Sequence, residues 1–482
     1  MTRFIHRAFC SALAASALFL AFSCTEKAPS PETSLNFQSP DGSLSLEFTL
    51  TGGTPSYSLT KDGQAVVLPS KMGFSLIGQD DLESGFALKD QKTSSFDETW
   101  EPVWGEEQQI RNHYNELLVV LGREDGVAMN IRFRLYDDGL GFRYEFPMEN
   151  KLTYFMIKEE LTQFAMTGDH TAWWIPGDYS TQEFSPTESR LSEIRNLSDA
   201  PYKNGGWPNH KISPTAVQTA LQMKTDSGLY INIHEAEVLD YPTTSLDLDD
   251  RKFVFSTHLT PDAEGVKGRM QAPCKTPWRT VMVCEKATDV LASRLILNLN
   301  EPCAIEDVSW IHPTKYMGVW WEMISGKSEW SYTYDYPSVQ LGVTDYAHST
   351  PHGKHGANNE NVKRYIDFAS ENGFDALLIE GWNEGWEDWY GHQKDFVFDF
   401  LTPYPDFDLP ALNKYAHERG MRLIMHHESS SSTLNYERWM EQAYDLMNQY
   451  GYDAVKSGYV GKIIPYGEYH YSQPIINHYH YA

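Results

Sequence analysis

The chain has 482 residues, enough for two or three domains, and its 39 Lys plus Arg stand against 66 Asp plus Glu, a formal net charge of −27. That acidity argues against a nucleic-acid binder, which needs a basic face to neutralise phosphates, and against a polybasic membrane patch. With 41% hydrophobic and 13% aromatic residues, the chain can bury a large core and is not disordered over most of its length.

Residues 1–24 read as a secretory signal. Arg3 and Arg7 precede the apolar run 8–22 (AFCSALAASALFLAF), and Ala21-Phe22-Ser23 leads into Cys24. The run is too short to span a membrane after cleavage. Two readings stand for its end: ordinary cleavage near Ser23, or a bacterial lipoprotein site in which Cys24 becomes the lipidated first residue. Both predict export to the periplasm or outer membrane, and the second makes the lipid on Cys24 the membrane link. Residues 25–34 (TEKAPSPETS) read as a tether. After residue 24 no stretch approaches the ~20 apolar residues of a spanning helix. The cysteines, Cys10, Cys24, Cys274, Cys284 and Cys303, form no C-x-x-C pair. Neither a zinc ribbon nor a disulfide framework is expected, and buried free thiols are favoured for Cys274 and Cys284.

From 35 to 300 short alternating runs recur: SLSLEFTL (43–50), NIRFRLYDD (130–138), FRYEF (142–146), GLYINIHEA (228–236) and KFVFSTHL (252–259). Gly, Asn and Asp turns separate them. This pattern predicts a large antiparallel β-sandwich. From 301 to 482 the texture changes. Strands are predicted at Lys315–Trp321, Phe374–Glu380, Met421–Glu428 and Tyr452–Ser457. Helices are predicted at Asn361–Asn372, Leu409–Arg419 and Leu434–Tyr450, with another starting near Tyr471. Continuous apolar strands alternating with helices mean parallel β/α units. No Gly-rich phosphate loop follows any strand, so a doubly wound nucleotide-binding sheet is disfavoured. Four units are half of a closed (β/α)8 barrel. The pattern stops at Ala482 inside the fourth helix, so the chain is expected to be a fragment or an early-ended gene product, since an open half-barrel exposes strand edges.

Each of these strands ends in polar or aromatic residues: Trp320-Trp321-Glu322, Glu380-Gly381-Trp382, His426-His427-Glu428 and Lys456-Ser457-Gly458. In a barrel those carboxyl ends carry the chemistry. The rim therefore offers Glu380, Glu384, Glu387, Asp388 and Glu428 beside Trp320, Trp382, Trp386 and Trp389. Flat aromatics beside carboxylates suit sugars, and a glycosidic bond is cleaved between two carboxyl groups. The bland alternatives are a tryptophan-rich core and solvated acidic loops. Glu428, closing an apolar strand behind two histidines, is the strongest single candidate. A metal cluster at His426-His427-Glu428 is disfavoured, because adjacent strand residues point to opposite faces. Lys456 fits a hydroxyl-binding role and a structural ion pair equally well. Glu193, taken alone, reads as a surface glutamate.

The segments FDETWEPVWGEE (96–107), IRNHYNEL (110–117), DDGLGFRYEF (137–146), RLSEIR (190–195), EGWNEGWEDW (380–389), MHHE (425–428) and VKSGYVG (455–461) resemble glycoside hydrolase family 97. The resemblance runs from about residue 35 to the last residue and is nearest to the family's calcium-dependent α-glucosidases. It implies an N-terminal β-super-sandwich at 35–300 and the first half of a (β/α)8 catalytic barrel at 301–482. It also implies exo-cleavage of α-linked glucose or galactose. In starch-type members it implies inversion of configuration and a bound Ca2+ near the reacting sugar. On matching positions the resemblance makes Glu428 a base that activates the attacking water. Glu193 becomes a calcium ligand, while Glu380, His426, Lys456 and Trp320 become substrate-binding residues. The segment Thr215-Ala216-Val217 becomes a loop near the sugar.

Retaining members carry an aspartate nucleophile two residues after the lysine and lack the glutamate of His-His-Glu. Here those positions hold Gly458 and Glu428, which favours the inverting branch. The family's general acid and further calcium ligands are expected beyond Ala482, so this stretch alone is expected to hydrolyse very slowly. Three functions remain in view: an α-glucosidase acting on starch-derived oligosaccharides, an α-galactosidase, and a non-catalytic carbohydrate-binding chain.

Overall fold

The structure, a computed structural model, describes residues 32–203, 209–389, 395–461 and 464–482. The signal-type segment with Cys10 and Cys24, and the tether up to residue 31, lie outside the described residues.

Two large antiparallel sheets build the N-terminal part. One has eight strands, in the spatial order Thr33–Gln38, Leu44–Thr51, Thr54–Lys61, Gln64–Lys71, Gln163–Met166, Val254–Leu259, Thr244–Asp249 and Ala216–Gln218. The other has ten strands and contains the long hairpin Ala87–Trp100 with Ile110–Gly122, followed by Ala128–Tyr136 and Gly139–Phe146. Alternation drives the packing. Leu44, Leu46, Phe48 and Leu50 are buried while the residues between them are not. On the facing sheet Met129, Ile131, Phe133 and Leu135 do the same. The two inner faces meet through aromatic pairs, Phe48 with Phe133 at 6.1 Å and Tyr57 with Phe142 at 4.9 Å between ring centres. Burying each such side chain contributes about 1.5–3 kcal/mol. Cys274, Cys284 and Cys303 are free thiols; Cys284 is buried, Cys274 half-buried and Cys303 exposed.

The sandwich core also holds a buried ion cluster. Arg279 Nε and Nη2 donate to Glu160 at 2.9 and 2.7 Å, and Nη1 donates to Glu235 at 2.7 Å. Tyr241 Oη adds a hydrogen bond to Glu160 at 3.0 Å. Burial pushes the Glu235 carboxyl up, against the pull of Arg279. Replacing Arg279 by methionine strands two buried carboxylates, so urea denaturation is expected to show a loss of about 3–5 kcal/mol.

The C-terminal part carries four parallel strands, Tyr316–Val319, Ala376–Ile379, Arg422–Glu428 and Val455–Gly458, hydrogen-bonded in that order. Helices Asn359–Glu371, Leu409–His417 and Thr433–Tyr450 separate them, and Gln473–Tyr481 follows. The side chains of Asn358 and Asp408 cap the first two helices, accepting from the N–H groups of Asn361 and Ala411, which satisfies otherwise orphaned donors. The first strand is shorter than expected: Trp321 already starts the short helix Trp321–Ile324. No fifth strand joins this sheet among the described residues, so the parallel arrangement is seen but not a closed ring. The two parts are joined by residues 469–477. Thr243 N–H donates to the Tyr471 carbonyl at 3.1 Å, and Arg269 N–H to Gln473 Oε1 at 2.7 Å.

Candidate active site

The strand ends bring the expected polar residues to one edge. Glu380 follows the second strand directly, His426 and Glu428 close the third, and Lys456 lies in the fourth. Lys456 Nζ donates to Glu380 Oε1 at 2.8 Å, and Trp330 Nε1 donates to Glu380 Oε2 at 3.2 Å. His426 Nε2 lies 3.7 Å from Glu380 Oε1. The Lys456 side chain is 47% exposed while that of Glu380 is 6% exposed, so the ammonium reaches solvent and the carboxylate does not. Glu380 is thus a fixed, largely buried acceptor.

The period of two along the third strand sorts the histidines. His426 faces the site, with the Trp386 ring stacked 5.9 Å away and its carbonyl accepting from Trp382 Nε1 at 2.9 Å. His427 points the other way, into Phe400 and Tyr436, with Nδ1 2.9 Å from Tyr436 Oη. Burial, aided by Lys456, pushes His426 down to about 3, and burial with His426 pushes His427 down to about 3. Both are neutral at physiological pH.

Glu428 is buried and pairs in register with Gly458. Its Oε1 accepts from the N–H groups of Ser430 and Val460 at 2.7 and 2.9 Å. Burial raises its carboxyl to about 8, although the two N–H groups pull it down. Its other oxygen, Oε2, occupies the space beside Gly458: a Cβ built on Gly458 would lie 2.1 Å from it. A side chain at 458 and this placement of the Glu428 carboxylate exclude each other.

The serine run after the strand builds that seat. Ser430 and Ser431 have φ of +52° and +66°, left-handed values that cost side-chain-bearing residues on the order of 1–3 kcal/mol each. Ser429 donates to the Gly458 carbonyl from both N and Oγ, at 2.8 and 2.7 Å. Ser432 Oγ donates to the Asp395 carbonyl at 2.7 Å. Gly461 lets the chain close on the turn, since a Cβ there would meet the Ser430 carbonyl at 2.6 Å.

The remaining rim carboxylates differ in role. Glu387 is structural: Oε1 accepts from Tyr332 N–H at 2.9 Å, and Oε2 accepts from Tyr346 and Tyr404 hydroxyls, both at 2.7 Å. Asp388 accepts from Val339 N–H. Glu384, half-buried on the same loop, is raised to about 7 by burial and by the charges of Asp399 and Glu387. Trp320 is half-buried, its ring edge-on to the exposed Trp321 at 4.8 Å.

Other expected residues are not brought to this edge by any described contact. Thr215, Ala216 and Val217 do not form an exposed loop. Ala216 and Val217 are fully buried in the strand Ala216–Gln218, and Thr215 Oγ1 donates to Asp247 at 3.0 Å. Glu193 is exposed, and its Oε2 accepts from Arg190 N–H at 2.8 Å at the start of the short helix Leu191–Glu193. Among the described residues no group of three or more His, Cys, Asp or Glu side chains converges to hold a metal ion. Of the calcium ligands that the resemblance implies, Glu193 alone falls within the described residues. The roles of Trp330 and the serine turn were not legible in the sequence, where only the SSSS run after MHHE stood as a signal; Gly458 was marked by the resemblance, but not its contact with the Glu428 carboxylate.

Residues 37–302 match the family described as Glycosyl-hydrolase 97 N-terminal, and residues 320–482 match Glycoside hydrolase 97. The chain belongs to glycoside hydrolase family 97. A family 97 enzyme of Pseudoalteromonas sp. strain K8, solved with acarbose, is 34% identical with a TM-score of 0.79; the alignment covers 93% of this chain and 64% of that one. A single-residue variant of the same enzyme was solved with panose. The retaining α-galactosidase of Bacteroides thetaiotaomicron is 24% identical over 416 residues, 80% of this chain and 54% of the relative. A probable retaining α-galactosidase of Streptomyces bingchenggensis is 22% identical over 91% of this chain and 60% of its own length. This family 97 chain therefore spans little more than half the length of the curated relatives.

Proposed function

We propose that the chain carries the water-activating side of an inverting α-glucosidase site acting from the non-reducing ends of starch-type oligosaccharides. One observation carries this reading: the Glu428 carboxylate fills the space over Gly458, where the resemblance places the nucleophile of retaining enzymes. In this reading Glu428, ionised, takes a proton from a water on one face of the sugar. An inverting pair leaves room for that water, with carboxyl groups ~6.5–9.5 Å apart. Glu380, held by Lys456 and Trp330, binds a sugar hydroxyl. Neutral His426 offers a further hydrogen-bonding group, and its Nδ1 has no partner among the described residues. The acarbose and panose bound by the 34% identical Pseudoalteromonas enzymes support an α-glucan oligosaccharide as substrate.

Proton NMR of the first product anomer tests the stereochemistry. The β-anomer released from an α-glucoside is expected; the α-anomer sinks the reading. The names of the curated relatives favour a second reading, an α-galactosidase. Initial rates on the two p-nitrophenyl α-hexosides separate them. At least tenfold preference for glucoside is expected, a difference of about 1.4 kcal/mol, and the reverse preference transfers the assignment to galactose.

A further inference from the structure

The serine turn that seats Glu428 is tied to the N-terminal sheets through Ser431 and His470. Ser431 is fully buried, and its Oγ lies 2.6 Å from the Tyr459 carbonyl, 3.1 Å from the Gly461 carbonyl and 3.3 Å from His470 Nε2. His470 Nδ1 is 2.5 Å from Tyr479 Oη. Carbonyls only accept, so the Ser431 hydroxyl donates to a loop carbonyl. It must then accept from His470 Nε2–H, and His470 Nδ1 accepts from Tyr479. Burial pushes His470 down to about 4, which keeps this neutral tautomer. His470 sits between two residues that pack on the sandwich. Tyr469 lies against Tyr179 and His210, at 4.8 and 4.9 Å between ring centres. Tyr471 donates its N–H to the Tyr179 carbonyl at 3.2 Å and accepts from Thr243 N–H. One short segment therefore docks the sandwich on one side and holds the Glu428 turn on the other.

We propose that Ser431 and His470 are positioning residues for Glu428, holding the left-handed turn whose Ser430 N–H and the facing Val460 N–H engage its carboxylate, and linking that turn to the docked sandwich. The inference rests on Glu428 being the water-activating group. Without the Ser431 tethers, the two left-handed serines relax and Ser430 N–H leaves Oε1. The titratable groups facing Glu428 are Glu380 from the second strand, Lys456 and Tyr459 from the fourth strand and its loop, and Tyr479 from the last helix. None of them belongs to the pair.

The test is the ionisation of Glu428 in the full chain, followed by carbon-13 NMR of glutamate-labelled protein and assigned with Glu428→Gln. N–H donors favour the carboxylate, so His470→Leu and Ser431→Ala are expected to raise the midpoint by about one pH unit. His470→Gln, which keeps an N–H donor, is expected to return it to the wild-type value. An unmoved midpoint in folded His470→Leu and Ser431→Ala overturns the proposal. Should those variants not fold, the wild-type chain decides: the Ser430 and Val460 amide resonances must follow the Glu428 titration, and resonances that ignore it overturn the proposal. The product anomer is read separately. A displaced midpoint together with release of the α-anomer sinks the inverting glucosidase reading and supports the positioning pair.

Discussion

Replacing Glu428 by glutamine is expected to lower turnover of an α-glucoside by about 10²–10⁴-fold, the usual contribution of a positioned general base. The amide keeps the shape and accepts the same Ser430 and Val460 hydrogen bonds, but it cannot take a proton from water. KM is expected to change little, because Glu380 and Lys456 remain to bind the sugar. The pH dependence follows from burial. With its carboxyl raised to about 8, Glu428 becomes an effective base only as pH climbs toward that value, so the acid limb of kcat/KM lies well above the ordinary carboxylate range. Stability moves the opposite way. A carboxyl whose folded value lies above its ordinary 4.5 binds its proton more tightly in the fold. Its contribution is complete below about 4.5 and is lost as pH rises through about 8. Tm of the parent chain is therefore expected to fall across that window, and Tm of Glu428→Gln to fall less. Parallel melting curves across the window would remove the assignment.

Adding a single methyl group at Gly458 is expected to be as damaging to function as removing the base. The new Cβ would lie 2.1 Å from Glu428 Oε2 and 3.0 Å from its carboxyl carbon, so the carboxylate must leave its seat. Gly458→Ala is expected to cost about 1–3 kcal/mol, the usual range for overpacking a tight interior, and to lower turnover by at least tenfold. The cost should disappear when the opposing carboxylate is absent. In a double-mutant cycle with Glu428→Ala, measured by urea denaturation, a coupling of about 0.5–3 kcal/mol is expected. Additive costs would mean that the two positions do not compete for the same space. The cycle also tests the mutual exclusion of a glutamate at 428 and a side-chain nucleophile at 458, on which the inverting reading depends.

Much of the fold was legible because it rests on local periodicity. Runs such as LSLEFTLT and AMNIRFRLY alternate every two residues, which forces one face inward wherever a sheet is covered. The apolar segments ALLI and RLIM, preceded by helices with Asn358 and Asp408 at their starts, read equally clearly as parallel units. Boundaries moved by a few residues at Trp321 and Tyr452, where side-chain pattern and backbone hydrogen bonding part company. The loop expected at Thr215–Val217 proved to be the start of a buried strand. Its three residues look the same in either setting until the partner strand Thr244–Asp249 is placed beside them.

The sequence by itself determined the two structural styles of the chain, the family through its long motifs, and the gathering of Glu380, His426, Glu428 and Lys456 at strand ends, because strand period and chain direction are properties of contiguous residues. Only the tertiary structure decided what each group does there. It separated Glu387, saturated by two tyrosine hydroxyls and backbone N–H groups, from Glu428, whose second oxygen lies over an empty glycine position. It paired Lys456 with Glu380 across 76 positions of chain, and it brought His470 to Ser431 across 39. Such pairings depend on which strands and turns come to lie side by side. Burial, charge balance and excluded volume arise from neighbours distant in sequence, and no local pattern encodes them.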